Sequence, residues 1–178
     1  MVKYMAAGAF ADISSFKSTF ANSANWLAGL AKSGMFGGKV YGVPYYAGSR
    51  VVTYRTDVWK KAGISNPPTS LAQFTSDATK LAAAGKSVKG FSPVYLPGTD
   101  WYFAMSFVYD FGGSIATTHA HKWVGNLNSP KSIAGLTAFK NFWLAVSKAS
   151  KTSNEASPAP YDIFSQGGAG AIVGPGWG

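Results

Sequence analysis

Residues 38–64 constrain the fold more than any other part of the chain, because an extended run there passes directly into a short helix. Residues 39–54 are rich in β-branched and aromatic side chains, which predicts a strand. Asp57 stands where the first turn of the following helix is expected, and Gly63 ends that helix. A strand that leads at once into a helix is typical of α/β folds.

Further along the chain, strands and helices continue to alternate. Apolar repeats behind a capping side chain predict helices over residues 24–32, 71–84, 101–111 and 130–146. Strands are predicted over residues 88–95 and 169–173, with a hairpin in 114–127. The helix over 101–111 is apolar nearly all round and is expected to be buried. The last long helix is expected to bury a stripe of Ile133, Leu136, Phe139, Trp143 and Val146.

Two sets of motifs carry a resemblance to a known family. Residues 38–64 contain in order a Gly-x-x-Tyr-Gly-Val-Pro start, an apolar strand, a Tyr-x-x-Asp corner and a Lys-Ala-Gly-Ile helix end. Five further landmarks follow in order: Pro67-Pro68-Thr69-Ser70-Leu71, Trp101 ahead of Phe111-Gly112-Gly113, Asn128-Ser129-Pro130, Phe164-x-Gln166-Gly167 and Gly174-x-Gly176-Trp177. This series resembles family 1 extracellular solute-binding proteins, the sugar-capturing components of ABC importers, and most of all their actinobacterial carbohydrate binders.

The resemblance implies a periplasmic-binding-protein-like type II fold of the α/β class, mostly the C-terminal lobe with part of the N-terminal lobe. Residues 1–43 would be a partial N-terminal lobe, 44–54 the crossing strand and hinge, and 55–178 most of the C-terminal lobe. Complete family members have two full lobes, so the chain is expected to be an internal piece that is not fully competent alone. Any export signal or lipid-anchor Cys is expected upstream of Met1, and the full-length protein is expected to be a monomer.

The resemblance also implies a set of sugar-contacting positions. A Trp that stacks on a sugar ring in the family is matched by Trp177, and residues 46–50 line the cleft. The predicted substrate-binding residues are Tyr46, Gly48, Ser49, Arg50, Asp100, Trp101, Tyr102 and Trp177. Some members carry an acidic sugar ligand where this chain has Gly48, so Arg50 or Ser49 is the candidate for that polar contact.

Aromatic residues support a carbohydrate site independently of the resemblance. The sequence contains 6 Trp, 9 Tyr and 12 Phe, and several stand at element ends beside Gly or Asp, where core packing does not require them. A pyranose has apolar C–H faces and a rim of hydroxyls, so its site needs flat aromatic surfaces with polar groups at the edge. Core packing is the favoured interpretation for Trp59, Trp123 and Trp143.

Catalytic and metal chemistry find little support in the sequence. No Cys is present, and the only His residues, His119 and His121, lack an evident third ligand nearby. Asp100 and Asp110 are ten positions apart on a helix and do not form a local carboxylate pair for glycoside hydrolysis. We therefore predict no catalytic residue, no cofactor and no metal.

The charge distribution argues against a nucleic-acid partner. The formal net charge is +9, but it comes from 14 dispersed Lys and only two Arg, Arg50 and Arg55. The predicted partners are a small carbohydrate and the transmembrane subunits of an ABC permease, which recognise the form closed by hinge motion. The predicted location is extracytoplasmic. Two alternatives remain open, a secreted glycan-active enzyme and a stand-alone carbohydrate-binding module, and the identity of the sugar, or of a non-sugar solute, stays open as well.

Overall fold

The computed structural model describes residues 1–119 and 122–176. The chain divides into two compact units, Met1–Ser49 and Arg50–Gly178.

The first unit is small and rich in turns. It contains the helices α1 (Val2–Ala6) and α2 (Ala28–Ser33), a 3₁₀ helix over Ser14–Thr19, and an antiparallel pair of short strands, β1 (Met35–Phe36) and β2 (Lys39–Val40). The helix predicted over 24–32 begins only at Ala28. The reason is local: Asn22 adopts a left-handed conformation with φ of 59°, and a separate 3₁₀ turn, Ser23–Asn25, follows it.

The single strand predicted over residues 39–54 is wrong, because the structure has two strands there. β2 ends at Val40 and β3 (Arg50–Tyr54) begins at Arg50, while residues 41–49 form no regular structure. Pro44 cannot donate a ladder hydrogen bond, and the glycines at 42 and 48 favour irregular backbone over strand. The Tyr45 side chain in this stretch is 96% exposed.

The second unit is built on a mixed sheet with the strand order β3-β7-β4 among the described residues. β7 (Ala169–Pro175) is the central strand, antiparallel to β3 and parallel to β4 (Ser92–Tyr95). The register pairs Arg50 with Pro175 and Tyr54 with Ala171. β7 is buried on both faces, which explains its run of small and β-branched residues.

Helices cover both faces of this sheet. They are α3 (Thr56–Lys61), α4 (Leu71–Ala84), α5 (Trp101–Asp110), α6 (Pro130–Val146) and α7 (Pro160–Ser165). The larger core contains Trp59, Ile64, Phe74, Ala78, Leu81, Val94, Leu96, Phe107, Phe142, Val146, Ala171 and Val173. On the other face, Ile172 and Ala169 pack with Tyr161, Ile163 and Phe164 from the α7 region. These α/β/α layers confirm the predicted fold class.

Side-chain caps begin three of these helices, as predicted. Ser70 Oγ accepts a hydrogen bond from the Gln73 amide at 3.1 Å, and Ser129 Oγ accepts one from Ser132 at 3.4 Å. The third cap, at the start of α5, belongs to the candidate site described below. Each cap satisfies an amide that the helix itself leaves unpaired.

Helices α5 and α6 follow the predicted burial only in part: in α6, Val146 is buried and Phe139 and Trp143 pack against the core as predicted, but Ile133 does not. A Cβ at Gly135 would lie 2.7 Å from the Phe107 carbonyl oxygen, so the backbones of α5 and α6 approach too closely for a larger residue there. This contact turns α6 so that Phe142 is buried, whereas Ile133 is 52% exposed. α5 buries Ala104, Phe107 and Val108, but its start is exposed, which corrects the prediction of a helix buried all round.

The predicted hairpin is present as β5 (Ala116–His119) and β6 (Lys122–Gly125). Its Trp123 side chain is 72% exposed, so the interpretation of Trp123 as a core residue is wrong. The cause is that β6 is exposed along its whole length. His121 lies outside the described residues. None of the helices in residues 1–119 and 122–176 combines the length and apolar character that a membrane span needs.

Candidate functional site

At one end of the sheet, strands β4 and β7 end and strand β3 begins. Arg50 opens β3 opposite Pro175 at the end of β7, and the parallel strand β4 ends at Tyr95, a few residues before Asp100. In α/β proteins, ligands bind outside the carboxyl ends of parallel strands. The candidate site is therefore built from the side chains that follow β4 and β7 and from the first residue of β3.

Asp100 is buried at this edge and caps α5. Its side chain is fully inaccessible, its Oδ1 accepts a hydrogen bond from the Phe103 amide at 3.0 Å, and its Oδ2 lies 3.5 Å from Arg50 Nη1. Burial raises the pKa of the Asp100 carboxyl, while the Phe103 amide and the Arg50 charge oppose that shift. Asp100 thus combines a structural cap with an acidic group at the site.

Arg50 connects the charged and aromatic halves of the site. Its Nη1 donates to Glu155 Oε1, and its Nη2 donates to Glu155 Oε2 at 2.8 Å, which is a bidentate pair. Its guanidinium carbon lies 4.6 Å from the centroid of the Tyr102 ring, in a cation–π contact. The hydrogen bond to Glu155 is the main reason that the pKa of Arg50 is raised.

Glu155 is a candidate functional residue that the sequence reasoning missed. It is the one Glu of the chain and lies in a loop that carried no family motif. Hydrogen bonds tie this loop to the segment before α5: the Thr99 amide donates to the Ser153 carbonyl at 3.0 Å, and the Gly98 amide donates to the Ser150 carbonyl at 3.2 Å. In the sequence, the only sign that Glu155 could be functional was that it is the one Glu in a chain with few acidic residues.

Gly98 allows these two loops to meet. A Cβ at this position would collide with the backbone of Lys151, so the close approach requires a residue without a side chain. A larger residue would separate the segment before Asp100 from the loop that carries Glu155. The glycine at position 98 thereby allows Asp100 and Glu155, which are far apart in sequence, to lie beside the Arg50 guanidinium.

Tyr161 is a second residue that the sequence reasoning missed. Its hydroxyl donates to the carbonyl of Pro175, at the end of β7. Burial raises the pKa of the Tyr161 hydroxyl, and the charges of Arg50 and Glu155 act on it in opposite directions. Tyr161 therefore lies beside the charged cluster and holds the end of β7.

Trp101 provides the exposed aromatic surface of the site. Its ring stacks on that of Tyr102 with centroids 3.7 Å apart and planes 28° apart, and it is 55% exposed. The Tyr102 ring already contacts both Trp101 and the Arg50 guanidinium. Tyr102 is also 52% exposed, but its ring is engaged by Arg50 as well, so we take Trp101 as the better platform for stacking against a ligand, with Tyr102 as its support.

The structure brings together four of the eight predicted site residues: Arg50, Asp100, Trp101 and Tyr102. The predicted residues Tyr46, Gly48 and Ser49 belong to the first unit, where the Tyr46 side chain is 72% exposed. Trp177 lies outside the described residues. Within residues 1–119 and 122–176, no group of three or more metal-binding side chains is found.

A separate cavity of about 300 Å³ lies on the α6 side of the unit. It is lined by Gly98, Phe139, Lys140, Trp143, Leu144 and Lys151. Among residues 1–119 and 122–176, none of the predicted site residues lines it. We place the candidate site at the strand ends instead, because the acidic groups, the guanidinium and the exposed aromatic ring converge there.

Replacing Asp100 with Asn should test the electrostatics of the cap. Asn caps helices as well as Asp, so urea unfolding should change little at low pH, where the Asp100 carboxyl is also neutral. Because burial raises the pKa of Asp100, the folded protein holds this proton more tightly than the unfolded chain. The stability of the wild type relative to Asp100→Asn should therefore fall as pH rises from about 4 through the folded-state pKa. A relative stability that rises over this range would contradict the assignment.

Comparisons with known proteins agree with this fold. The profile of the bacterial extracellular solute-binding protein family matches residues 1–178. The diacetylchitobiose binding protein DasA of Streptomyces coelicolor is 36% identical over 174 residues, which cover 98% of this chain and 39% of DasA. The sugar-binding protein MalE of Xanthomonas citri aligns with a TM-score of 0.74 at 19% identity, over 99% of this chain and 44% of that one.

A third similar protein is the GacH receptor of Streptomyces glaucescens. Its structure aligns with a TM-score of 0.73 at 18% identity and covers 98% of this chain and 42% of the receptor. At this identity the structural matches establish the fold. The chain spans about two-fifths of the length of the relatives that it matches.

Proposed function

This chain belongs to the bacterial extracellular solute-binding protein family, and we propose that it supplies one side of a cleft that captures a sugar or oligosaccharide for an ABC importer. Proteins of this family act outside the cytoplasm and bind solutes. In this proposal the chain itself catalyses no reaction, and the permease subunits perform the transport.

The observation that carries the proposal is the cluster at the sheet edge. Trp101 offers an exposed flat face, and next to its support Tyr102 lies a guanidinium held by two carboxylates. A pyranose needs an aromatic surface for its C–H face and charged or polar groups for its hydroxyls. Both lie here on rigid elements, the start of β3 and the first turn of α5.

The proposed mechanism is closure of two lobes around the sugar. Residues 1–43 would contribute to one lobe, 44–54 would form the crossing segment, and 55–178 would form most of the other lobe. The closed form, stabilised by a bound solute, would be the form that the permease recognises. We further propose that the full-length protein is a monomer held at the cell surface as a lipoprotein or free in the periplasm.

The sugar class is suggested by two of the similar proteins. DasA is named for binding diacetylchitobiose, and GacH was crystallised with acarbose. In this proposal, rings of such a compound would stack on Trp101. We propose a short oligosaccharide as the solute of this chain.

A glycan-cleaving enzyme is the main alternative. The structure does bring two carboxylates together, Asp100 and Glu155, which the sequence did not predict as a pair. However, the Arg50 guanidinium lies between them and contacts both. A glycosidase must place the scissile bond between its two carboxyl groups, so this arrangement favours binding over hydrolysis.

Calorimetric titration of the full-length protein with N,N′-diacetylchitobiose, maltotriose and lacto-N-biose tests the proposal. Saturable binding of at least one sugar, with the sugar recovered intact, is the expected result. Absence of binding across the panel, at protein concentrations where the fold is intact by circular dichroism, would contradict sugar capture. Release of shorter products would instead support the enzyme.

A further inference from the structure

We propose that Glu155 makes this site selective for neutral over anionic ligands, because it occupies the guanidinium of Arg50 that an anionic ligand would otherwise bind. This inference rests on the proposed function, since it concerns the charge of the captured solute. It assigns a specificity-determining role to a loop residue that carries no family motif.

The geometry of the Arg50–Glu155 pair supports this role. A guanidinium binds a carboxylate or phosphate through two parallel N–H groups, and Glu155 already uses both Nη1 and Nη2 in that way. A uronate or a phosphate on a ligand would need the same two donors. As long as Glu155 remains in place, Nη1 and Nη2 of Arg50 cannot both donate to an anionic ligand.

The charge balance of the cluster points in the same direction. Glu155 and Asp100 both lie within ion-pair distance of Arg50, so two carboxylates share one cation. Within the part of the chain that the structure describes, neither carboxylate pairs with a lysine. The ionised cluster therefore has a net charge of −1, and an incoming anion would meet repulsion.

Partial burial makes this repulsion effective. The side chains of Arg50 and Glu155 are 23% and 31% exposed, and that of Asp100 is fully inaccessible. Charges in such surroundings are screened less by salt and water than charges on an open surface. The contrast with the net basic chain is informative, because a sequence with a charge of +9 would otherwise be expected to favour anions.

The loop that carries Glu155 holds it firmly. The Thr99 hydroxyl donates to the Ser153 carbonyl at 2.8 Å, and Asn154 Oδ1 accepts hydrogen bonds from the amides of Ala156 and Ser157 at 2.9 and 3.1 Å. These bonds fix the backbone on both sides of Glu155. Its pairing with Arg50 is thus supported by the loop and is not a chance encounter of two long side chains.

The test compares Glu155→Gln with wild-type full-length protein. The probes are the neutral panel of N,N′-diacetylchitobiose, maltotriose and lacto-N-biose, and the C6-oxidised uronate form of each sugar. For any neutral sugar that binds the wild type, its uronate should bind at least about tenfold more weakly, because the partly buried carboxylates repel the added negative charge. In Glu155→Gln, the ratio of uronate to neutral affinity should rise by at least about tenfold.

A matched control is available at the other end of β3. Arg55 forms a comparable bidentate pair with Asp57, with distances of 3.1 and 2.7 Å, but away from the site. Asp57→Asn should leave the affinity ratio unchanged. An equal ratio in wild type and Glu155→Gln, or equal binding of uronate and neutral sugar by the wild type, would overturn the proposal.

Inorganic phosphate separates the two proposals from each other. If no neutral sugar binds the wild type, sugar capture fails, but phosphate titration still tests the role of Glu155. Glu155→Gln should bind phosphate at least about tenfold more tightly than wild type or Asp57→Asn, because Arg50 is then released. Equal phosphate binding in all three proteins would reject the proposal independently of any sugar.

Discussion

Replacing Arg50 with Met is expected to destabilise the second unit by about 2–3 kcal/mol. The substitution keeps much of the apolar stem but removes the cation that Asp100 and Glu155 share. Losing one partner of a buried ion pair costs more than the pair contributes, because the remaining charge is left uncompensated. The figure is set below that for a fully buried pair, since Arg50 and Glu155 are partly exposed.

Urea unfolding at pH 7 measures this effect through the shift of the midpoint at constant slope. The double variant Arg50→Met/Glu155→Gln should recover part of the loss, because one unpaired carboxylate is then neutral. The loss should also shrink at acidic pH, because burial raises the pKa of the Asp100 carboxyl, and once protonated this group no longer needs the cation. As a control, Arg55→Met removes the exposed pair with Asp57 and should have little effect. Equal effects of Arg50→Met and Arg55→Met would contradict the cluster's structural role.

Local signals in the sequence were sufficient to predict much of the fold. Ser70, Asp100 and Ser129 each act through an amide three residues away, so the information lies within one helical turn. The hairpin and the buried strand β7 could also be predicted, because their residue patterns are local. The division of residues 39–54 into two strands was not predicted, because the many β-branched and aromatic residues favoured one strand despite Pro44.

Packing between elements could not be predicted from the same signals. The burial of Phe142 in place of Ile133 depends on Gly135, whose close approach to α5 is visible only in three dimensions. Trp59 and Trp123 received the same interpretation, yet Trp59 is 2% exposed and Trp123 is 72% exposed. Their exposure differs because other elements pack over the helix that carries Trp59, whereas the strand that carries Trp123 is exposed along its length. A local residue pattern does not specify such tertiary packing.

The candidate site shows the same limit most clearly. The family resemblance pointed to Asp100, Trp101 and Tyr102, which are adjacent in sequence and match sugar-contacting positions of the family. Glu155 is separated from Arg50 by 105 positions, and hydrogen bonds between two loops bring it close. No motif marked that loop, so a residue that we propose to determine specificity emerged only from the structure.

Replacing Trp101 with Ala is expected to weaken sugar binding by about 1–3 kcal/mol, taking aromatic stacking against a flat ring as the guide. Its ring is the exposed end of a stack that continues through Tyr102 to Arg50, so the loss removes the surface available to a sugar face. Stability should change little, because the Trp101 side chain is 55% exposed and the cap formed by Asp100 remains.

The control for this variant is Trp123→Ala, because Trp123 is also a solvent-exposed tryptophan but lies on the β5–β6 hairpin. Calorimetry with the sugar that binds most tightly should show a large loss of affinity for Trp101→Ala and none for Trp123→Ala. If both variants bind as wild type does, Trp101 is not a stacking platform. If both lose affinity equally, the aromatic contact extends to the hairpin, and the site is larger than the cluster at the sheet edge.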